Sequence, residues 1–255
     1  IEVENPVTIL ESNTCNEPVA GIADALRNPV NSPKLKDFLK SAENVLIIVN
    51  DATRPTPTVK VIDEIYDDIC KYNVTFIVAA GTHRELTEGE YTKIFGKYRS
   101  MLNIVLHDAK NSEMSFLGAT SRGTNVEINK LASNAEKIII IGSAEPHYFA
   151  GYSGGRKGIL PGVAAYETIR QNHKLALQPE SGILKLTGNP VHEDMAEACR
   201  MVKADIFSIQ TVMDTNHNIY FASAGDVFAS HLACCDRVDD LYSAEITEKA
   251  DMIIS

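Results

Sequence analysis

Short, β-branched apolar runs alternate with amphipathic stretches from residue 44 onward. NVLIIVN (44–50), VTFIVAA (74–80), LNIVLHD (102–108) and EKIIIIGS (136–143) have strand length and few polar interruptions, the pattern of strands covered on both faces. Between the first two, TPTVKVIDEIYDDICKYN (56–73) sets Val59, Ile62, Ile65, Tyr66 and Ile69 three or four residues apart. That spacing predicts an amphipathic helix with Pro57 in its first turn. TEGEYTKIFGKY (87–98) predicts a short helix, and another is expected near 127–134. Residues 164–177 and 191–202 read as helices, ADIFSIQTVMD and NIYFASAG as a strand pair turning near Asn216, and 227–246 as a last helix. The fold class predicted is α/β: a Rossmann-like, largely parallel sheet flanked by helices, with one short antiparallel strand pair.

DMIIS (251–255) reads as one more buried strand. Ligand-binding loops of open α/β sheets begin at the carboxyl ends of strands. Residues 1–255 are therefore expected to form a single α/β domain of a longer protein whose C-terminal part follows.

Composition narrows the partners. A formal net charge of −10 argues against a nucleic-acid partner but leaves room for a small anion held by local cations. No apolar run approaches the roughly 20 residues of a membrane span, so no membrane partner is expected. Cys15, Cys70, Cys199, Cys234 and Cys235 include no CxxC and make a poor disulfide framework, which suits reduced thiols in the cytoplasm.

Three predicted strands run into polar loops that should share one rim of the sheet. The first loop, NDATRPTP, carries Asp51 and Arg54; the second, AAGTHREL, carries His83 after Gly81; the third opens at Glu145-Pro146-His147. Asp51 alone would cap a helix or form a turn about as readily as serve a site. Arg54 offers a fork for a carboxylate or phosphate, or else pairs with Asp51. His83 and His147 taken singly are more often structural. Together, two histidines and an arginine on one rim can hold an anionic substrate and exchange its protons near neutrality.

The third loop continues as EPHYFAGYSGGRKGILPG (145–162). GYSGGRKG fits neither the Walker A spacing nor G-x-G-x-x-G. Gly154 and Gly155, helped by Arg156, could still present N–H groups to a phosphate, or the stretch is a mobile loop with a solvated Arg-Lys pair. Lys157 suits a nucleophile or tether, although most lysines simply reach solvent. On the following helix Tyr166, Ile169 and His173 share one face. With no HExxH and no Cys/His cluster, a metal on His173 would need most of its ligands from elsewhere.

DATRPTP, GTHRE, EPHYFAGYSGGRKGILPG and the downstream His173 resemble the nickel-dependent lactate racemases and their 2-hydroxyacid racemase and epimerase relatives. The likeness is strongest from Asp51 to His173, and the long third motif is its most specific part. It implies a nickel ion and a pyridinium-3,5-bisthiocarboxylic acid mononucleotide-type pincer cofactor attached to Lys157, with His173 completing the metal's coordination. It further implies a hydride shuttle in which His83 and His147 are the paired bases, Arg54 contacts a small 2-hydroxy acid substrate, and Asp51, Gly154 and Gly155 belong to the cofactor pocket. Proteins that build and load the cofactor are the implied partners, and a second domain supplies a further cationic contact. A metal-dependent hydrolase and a non-catalytic nucleotide- or phosphate-binding module are the alternatives.

Overall fold

Alternation within each central strand gives the sheet two buried faces. In the computed structural model, which describes residues 18–244, Val45, Ile47 and Val49 point into one core and Leu46 and Ile48 into the other. Helices α1 (Ile22–Arg27) and α2 (Leu35–Phe38) precede strand β1 (Asn44–Asn50). There follow α3 (Thr58–Ile69), β2 (Asn73–Ala79), α4 (Glu88–Phe95), β3 (Asn103–Leu106), the hairpin β4 (Met114–Ala119) and β5 (Asn125–Asn129), α5 (Lys130–Asn134) and β6 (Lys137–Ser143). The rest comprises β7 (Pro146–His147), β8 (Ala150–Tyr152), a 3₁₀ turn over Gly155–Gly158, α6 (Tyr166–Lys174), β9 (Gly182–Ile183), α7 (Pro190–Arg200), β10 (Asp205–Met213), β11 (Ile219–Asp226) and α8 (Val227–Tyr242).

The main sheet runs β11-β10-β6-β1-β2-β3, parallel throughout except for the antiparallel β10–β11 pair. The expected fold class and strand pair are therefore present. From β1 the chain builds outward through β2 and β3, then returns to lay β6 on the other side of β1. That reversal leaves a crevice beyond the carboxyl ends of β1 and β6, where open α/β sheets take their ligands.

One core packs α3, whose Val61, Ile62, Ile65 and Ile69 are buried, against Phe76, Val78 and Ile139. The other seats Ile159, Leu160, Ile169, Val191 and Met195 on Ile138 and Ile140. Each large side chain fully removed from water contributes about 1.5–3 kcal/mol of transfer free energy, offset by the entropy of ordering it. A capping box between Thr87 and Glu90 starts α4 where the chain leaves the second loop.

One expected helix is shorter than its pattern implied. Residues 125–129 form β5, and helix begins only at Lys130. Val126 and Ile128 are buried on alternate positions, and the strand's edge binds the chain after the third motif: Asn129 N–H donates to Val163 O and Ala165 N–H to Glu127 O. A five-residue strand held by a distant segment carries too little period of its own to be told from a helical turn. The predicted strand at 251–255 lies outside the described residues. Among them, Cys70, Cys199, Cys234 and Cys235 are free thiols, and no helix is long and apolar enough to cross a membrane.

Candidate active site

The three polar loops do meet at the β1/β6 crevice, and hydrogen bonds tie them together. Thr56 Oγ1, in the first loop, bonds Asn50 Oδ1 at 2.9 Å and Ser143 Oγ, at the end of β6, at 3.0 Å. Gly81, with φ +54°, donates its N–H to Gly162 O at 3.1 Å, which joins the second loop to the end of the long motif. The left-handed conformation at Gly81 is one that a side chain would strain.

Asp51 caps no helix, and its carboxylate does not pair with the Arg54 guanidinium, although its backbone carbonyl accepts Arg54 N–H at 3.3 Å in a turn. Its buried carboxylate accepts Thr53 N–H and Oγ1–H on one oxygen and His83 Nδ1–H, at 2.5 Å, on the other. A carboxylate only accepts, so this contact places the imidazole proton on Nδ1 and leaves Nε2 with an open lone pair. Arg84 turns away to a two-point ion pair with Glu90. Arg54 reaches across to the third loop, where Nη1 donates to Glu145 Oε2 at 2.7 Å.

His147 is buried on the short β7 strand. Nδ1 accepts Ala150 N–H at 3.3 Å, and Nε2 lies 3.3 Å from Lys157 Nζ. Burial, then the charges of Lys157 and Arg54, lower its pKa to about 3, so the ring is neutral throughout the physiological range. Lys157 is pulled well below the usual lysine range by its enclosure, with Arg156 and Arg54 adding repulsion. No carboxylate pairs with it among the described residues. It is an amine biased toward its neutral, nucleophilic form.

Phe149 links this pair to His173. Its ring stands edge-on to His147 at 4.6 Å and to His173 at 5.0 Å, with Lys157 Nζ 5.8 Å away. His173 Nδ1 donates to Ile169 O at 2.8 Å, one helical turn back, which leaves Nε2 as a free ligand atom of fixed orientation. The β5 edge described above anchors the start of α6 and so sets where His173 comes to rest.

The glycine loop departs from expectation. Gly154 (φ +83°) and Gly155 (φ +55°) turn so that Arg156 points inward and is fully buried. Its Nη2 donates to Ala150 O and Tyr152 O, Nη1 to Gly154 O, and Nη1 lies 2.8 Å from His231 Nε2. The guanidinium is a bolt between loop and α8 rather than a phosphate contact. Gly155 N–H is spent on Gln210 Oε1 at 2.9 Å. Neither glycine admits a Cβ: one at 154 would come within 2.6 Å of Gln210 Oε1, one at 155 within 2.7 Å of His231 Cβ. Gly154 and Gly155 still line the crevice together with Lys157, Asn50, Ile141 and Gly142.

The structure thus gathers the candidates in contacting groups, Asp51–His83 on the first two loops and His147–Lys157–Phe149–His173 on the third loop and α6, with Arg54 bound to Glu145, while Gly154, Gly155 and Lys157 line the β1/β6 crevice. Glu145, Phe149, Gln210 and His231 are further parts of the assembly. Of these only Glu145 and Phe149 carried a signal, their place inside the long motif.

Buried neutral histidines have a cost in acid. His147 and His231 both have folded-state pKa values lowered by burial. Below about pH 6.5 an unfolded chain binds protons at these rings and the folded one does not, so the unfolded state gains. Stability is expected to fall as pH drops from about 6.5 toward 3, by up to about 1.4 kcal/mol per pH unit for each ring. Thermal melts at pH 7.5, 6 and 5 check this, and a flat profile across that window would contradict it.

The family described as the lactate racemase N-terminal domain matches residues 1–183. The chain is 37% identical over 240 residues to the lactate racemase of Thermoanaerobacterium thermosaccharolyticum, covering 91% of this chain and 56% of that protein. It is 34% identical over 244 residues to the lactate racemase of Lactiplantibacillus plantarum, covering 92% and 57%. The lactate racemase apoprotein structure from T. thermosaccharolyticum superposes with a TM-score of 0.82 at 36% identity, over 91% of this chain and 57% of that one. A Thermotoga maritima protein shares the fold with a TM-score of 0.72 at 22% identity, over 86% and 58%. The chain spans a little over half the length of the curated relatives it matches.

Proposed function

Because the chain belongs to the lactate racemase N-terminal domain family, we propose that it carries the chemistry of a racemase or epimerase of 2-hydroxy acids, lactate or a close analogue. The observation that supports this most is the meeting, at one crevice, of two differently held histidines, an arginine and an enclosed amine. A stereocentre is inverted by handling the substrate from both hands, and His83 and His147 stand on separate loops of the crevice.

The residues fit the implied nickel-pincer nucleotide. Lys157 presents an enclosed amine with no carboxylate partner among the described residues, able to form a covalent tether, and lines the crevice beside Gly154, Gly155 and Gly158. His173 offers one oriented imidazole nitrogen. No group of three or more His, Cys, Asp or Glu among the described residues is arranged to hold a metal, so a metal on His173 takes its other ligands from the cofactor. When bound, that group would supply a reversible hydride acceptor. Soft sulfur donors with one imidazole suit nickel(II).

The chain's own residues then bind and move protons. Arg54 holds the substrate carboxylate. His83, its Nδ1–H fixed by Asp51, takes the hydroxyl proton of one enantiomer at Nε2. His147 serves the other, a role that requires it to give up the Ala150 N–H contact and carry its ring proton on Nδ1 so that Nε2 is open. Phe149 and the buried third loop exclude water from the reacting carbon. A C-terminal domain closing over the crevice and dedicated cofactor-loading proteins complete the scheme. The hydrolase alternative lacks the all-protein ligand set it needs among the described residues.

The test is the intact mass and nickel content of protein co-produced with the cofactor-making enzymes, followed by assay on single enantiomers of lactate. Expected are a mass increment on Lys157, near-stoichiometric nickel and loss of optical rotation. An unmodified mass, with loading shown to work on a known racemase in parallel, overturns the reading.

A further inference from the structure

Arg54 and Glu145 stand opposite each other across the strand-order reversal, one beyond β1 and one beyond β6. Their side chains are 31% and 17% exposed, and Nη1 to Oε2 is 2.7 Å. The second Glu145 oxygen lies 3.4 Å from Ser143 Oγ, which Thr56 holds from the first loop. The guanidinium forms no other hydrogen bond among the described residues. A resident carboxylate therefore already occupies the group that the proposed function assigns to the substrate's carboxylate.

We propose that Glu145 is a built-in competitor for Arg54, and that it sets the affinity of the site for carboxylate substrates. This rests on the reading of Arg54 given above. An incoming acid either displaces Glu145 from Nη1 or shares the fork by docking on the Nε–Nη2 edge. Two effects oppose each other. Glu145 orients the guanidinium, which favours capture, and repels a second carboxylate beside it, which disfavours capture. In a partly buried crevice, repulsion between charges a few ångströms apart outweighs the ordering of one side chain. The net effect of Glu145 is to weaken binding, and most of all for substrates with a second anionic group. A site that turns its product over as readily as its substrate gains from loose capture, since both enantiomers must leave.

Two measurements test this. On cofactor-loaded protein, Glu145→Gln keeps shape and an acceptor for Nη1 while removing the charge; KM for a 2-hydroxy monocarboxylate is expected to fall about tenfold, and further for a 2-hydroxy dicarboxylate, with kcat changing less. On unloaded protein, lactate binding followed by ligand-observed NMR should tighten in Glu145→Gln and vanish in Arg54→Ala. Glu145→Ala must move KM in the same direction, which guards against a folding artefact in one variant. If either Glu145 variant leaves KM unchanged or raises it, while Arg54→Ala still loses lactate, the competitor role is overturned and the proposed function stands. If Arg54→Ala binds lactate as wild type does, Arg54 is not the carboxylate grip and both readings of it fall.

Discussion

Alanine at position 157 is expected to give a protein of unmodified mass with no measurable racemisation. The argument rests on where the amine sits. Lys157 follows a fully buried arginine in the chain, is pulled toward its neutral form by enclosure and by two neighbouring guanidinium groups, and among the described residues has only His147 within hydrogen-bonding distance of its amine. That environment suits an amine that must form a bond and remain there. Lys157 makes no ion pair among the described residues, so its truncation should leave the fold intact, with a melting temperature close to wild type. Lys157→Arg is expected to fail equally, because a guanidinium stays protonated and is no nucleophile. Intact mass and enantiomer assay read the two consequences separately. A Lys157→Ala protein that still gains the cofactor's mass would contradict the assignment.

The second large effect is expected at His83. Removing a positioned general base costs about 10²- to 10⁴-fold in rate, so His83→Ala should lose kcat in that range with the covalent adduct and nickel retained. Both directions of racemisation should slow together, because each turnover uses both hands of the site. Asp51→Asn should act in the same sense and less severely, since an amide can still accept Nδ1–H but no longer stabilises the imidazolium that forms when Nε2 takes a proton. The asymmetry between the two variants is the signature of Asp51 working through His83. An equally large loss of cofactor in Asp51→Asn would instead place Asp51 at the cofactor. Circular dichroism and adduct mass on each variant separate catalysis from folding and loading.

Much of this was legible in sequence, and for physical reasons. The central strands NVLIIVN and EKIIIIGS announce themselves because strands covered on both faces need unbroken apolar runs. Helix α3 shows because its buried residues recur at the helical period. Loops at the carboxyl ends of such strands could be predicted to converge without knowing the strand order, which is why Asp51, Arg54, His83 and His147 fell together. The β5 strand was not legible, since its outer edge is held by residues 163–165, far along the chain. Arg156 was misread for a related reason. A charged residue beside a double glycine looks solvated, and only the left-handed turns at Gly154 and Gly155, seen in three dimensions, show that the side chain enters the core. The Arg54–Glu145 pair spans 91 positions, a distance at which no local pattern reports a partner.

The bonds from Thr56 to Ser143 and from Gly81 to Gly162 have a consequence for the thermodynamics of ligand capture. Loops that fold around a ligand lose their conformational entropy at the moment of binding, and affinity is lower by that amount. Here the three loops are already stitched into a single rim, and the loss is incurred during folding, where the two buried cores can offset it. Ligand association then needs little ordering of the rim, so its heat-capacity change should reflect the surface covered and not a coil becoming structured.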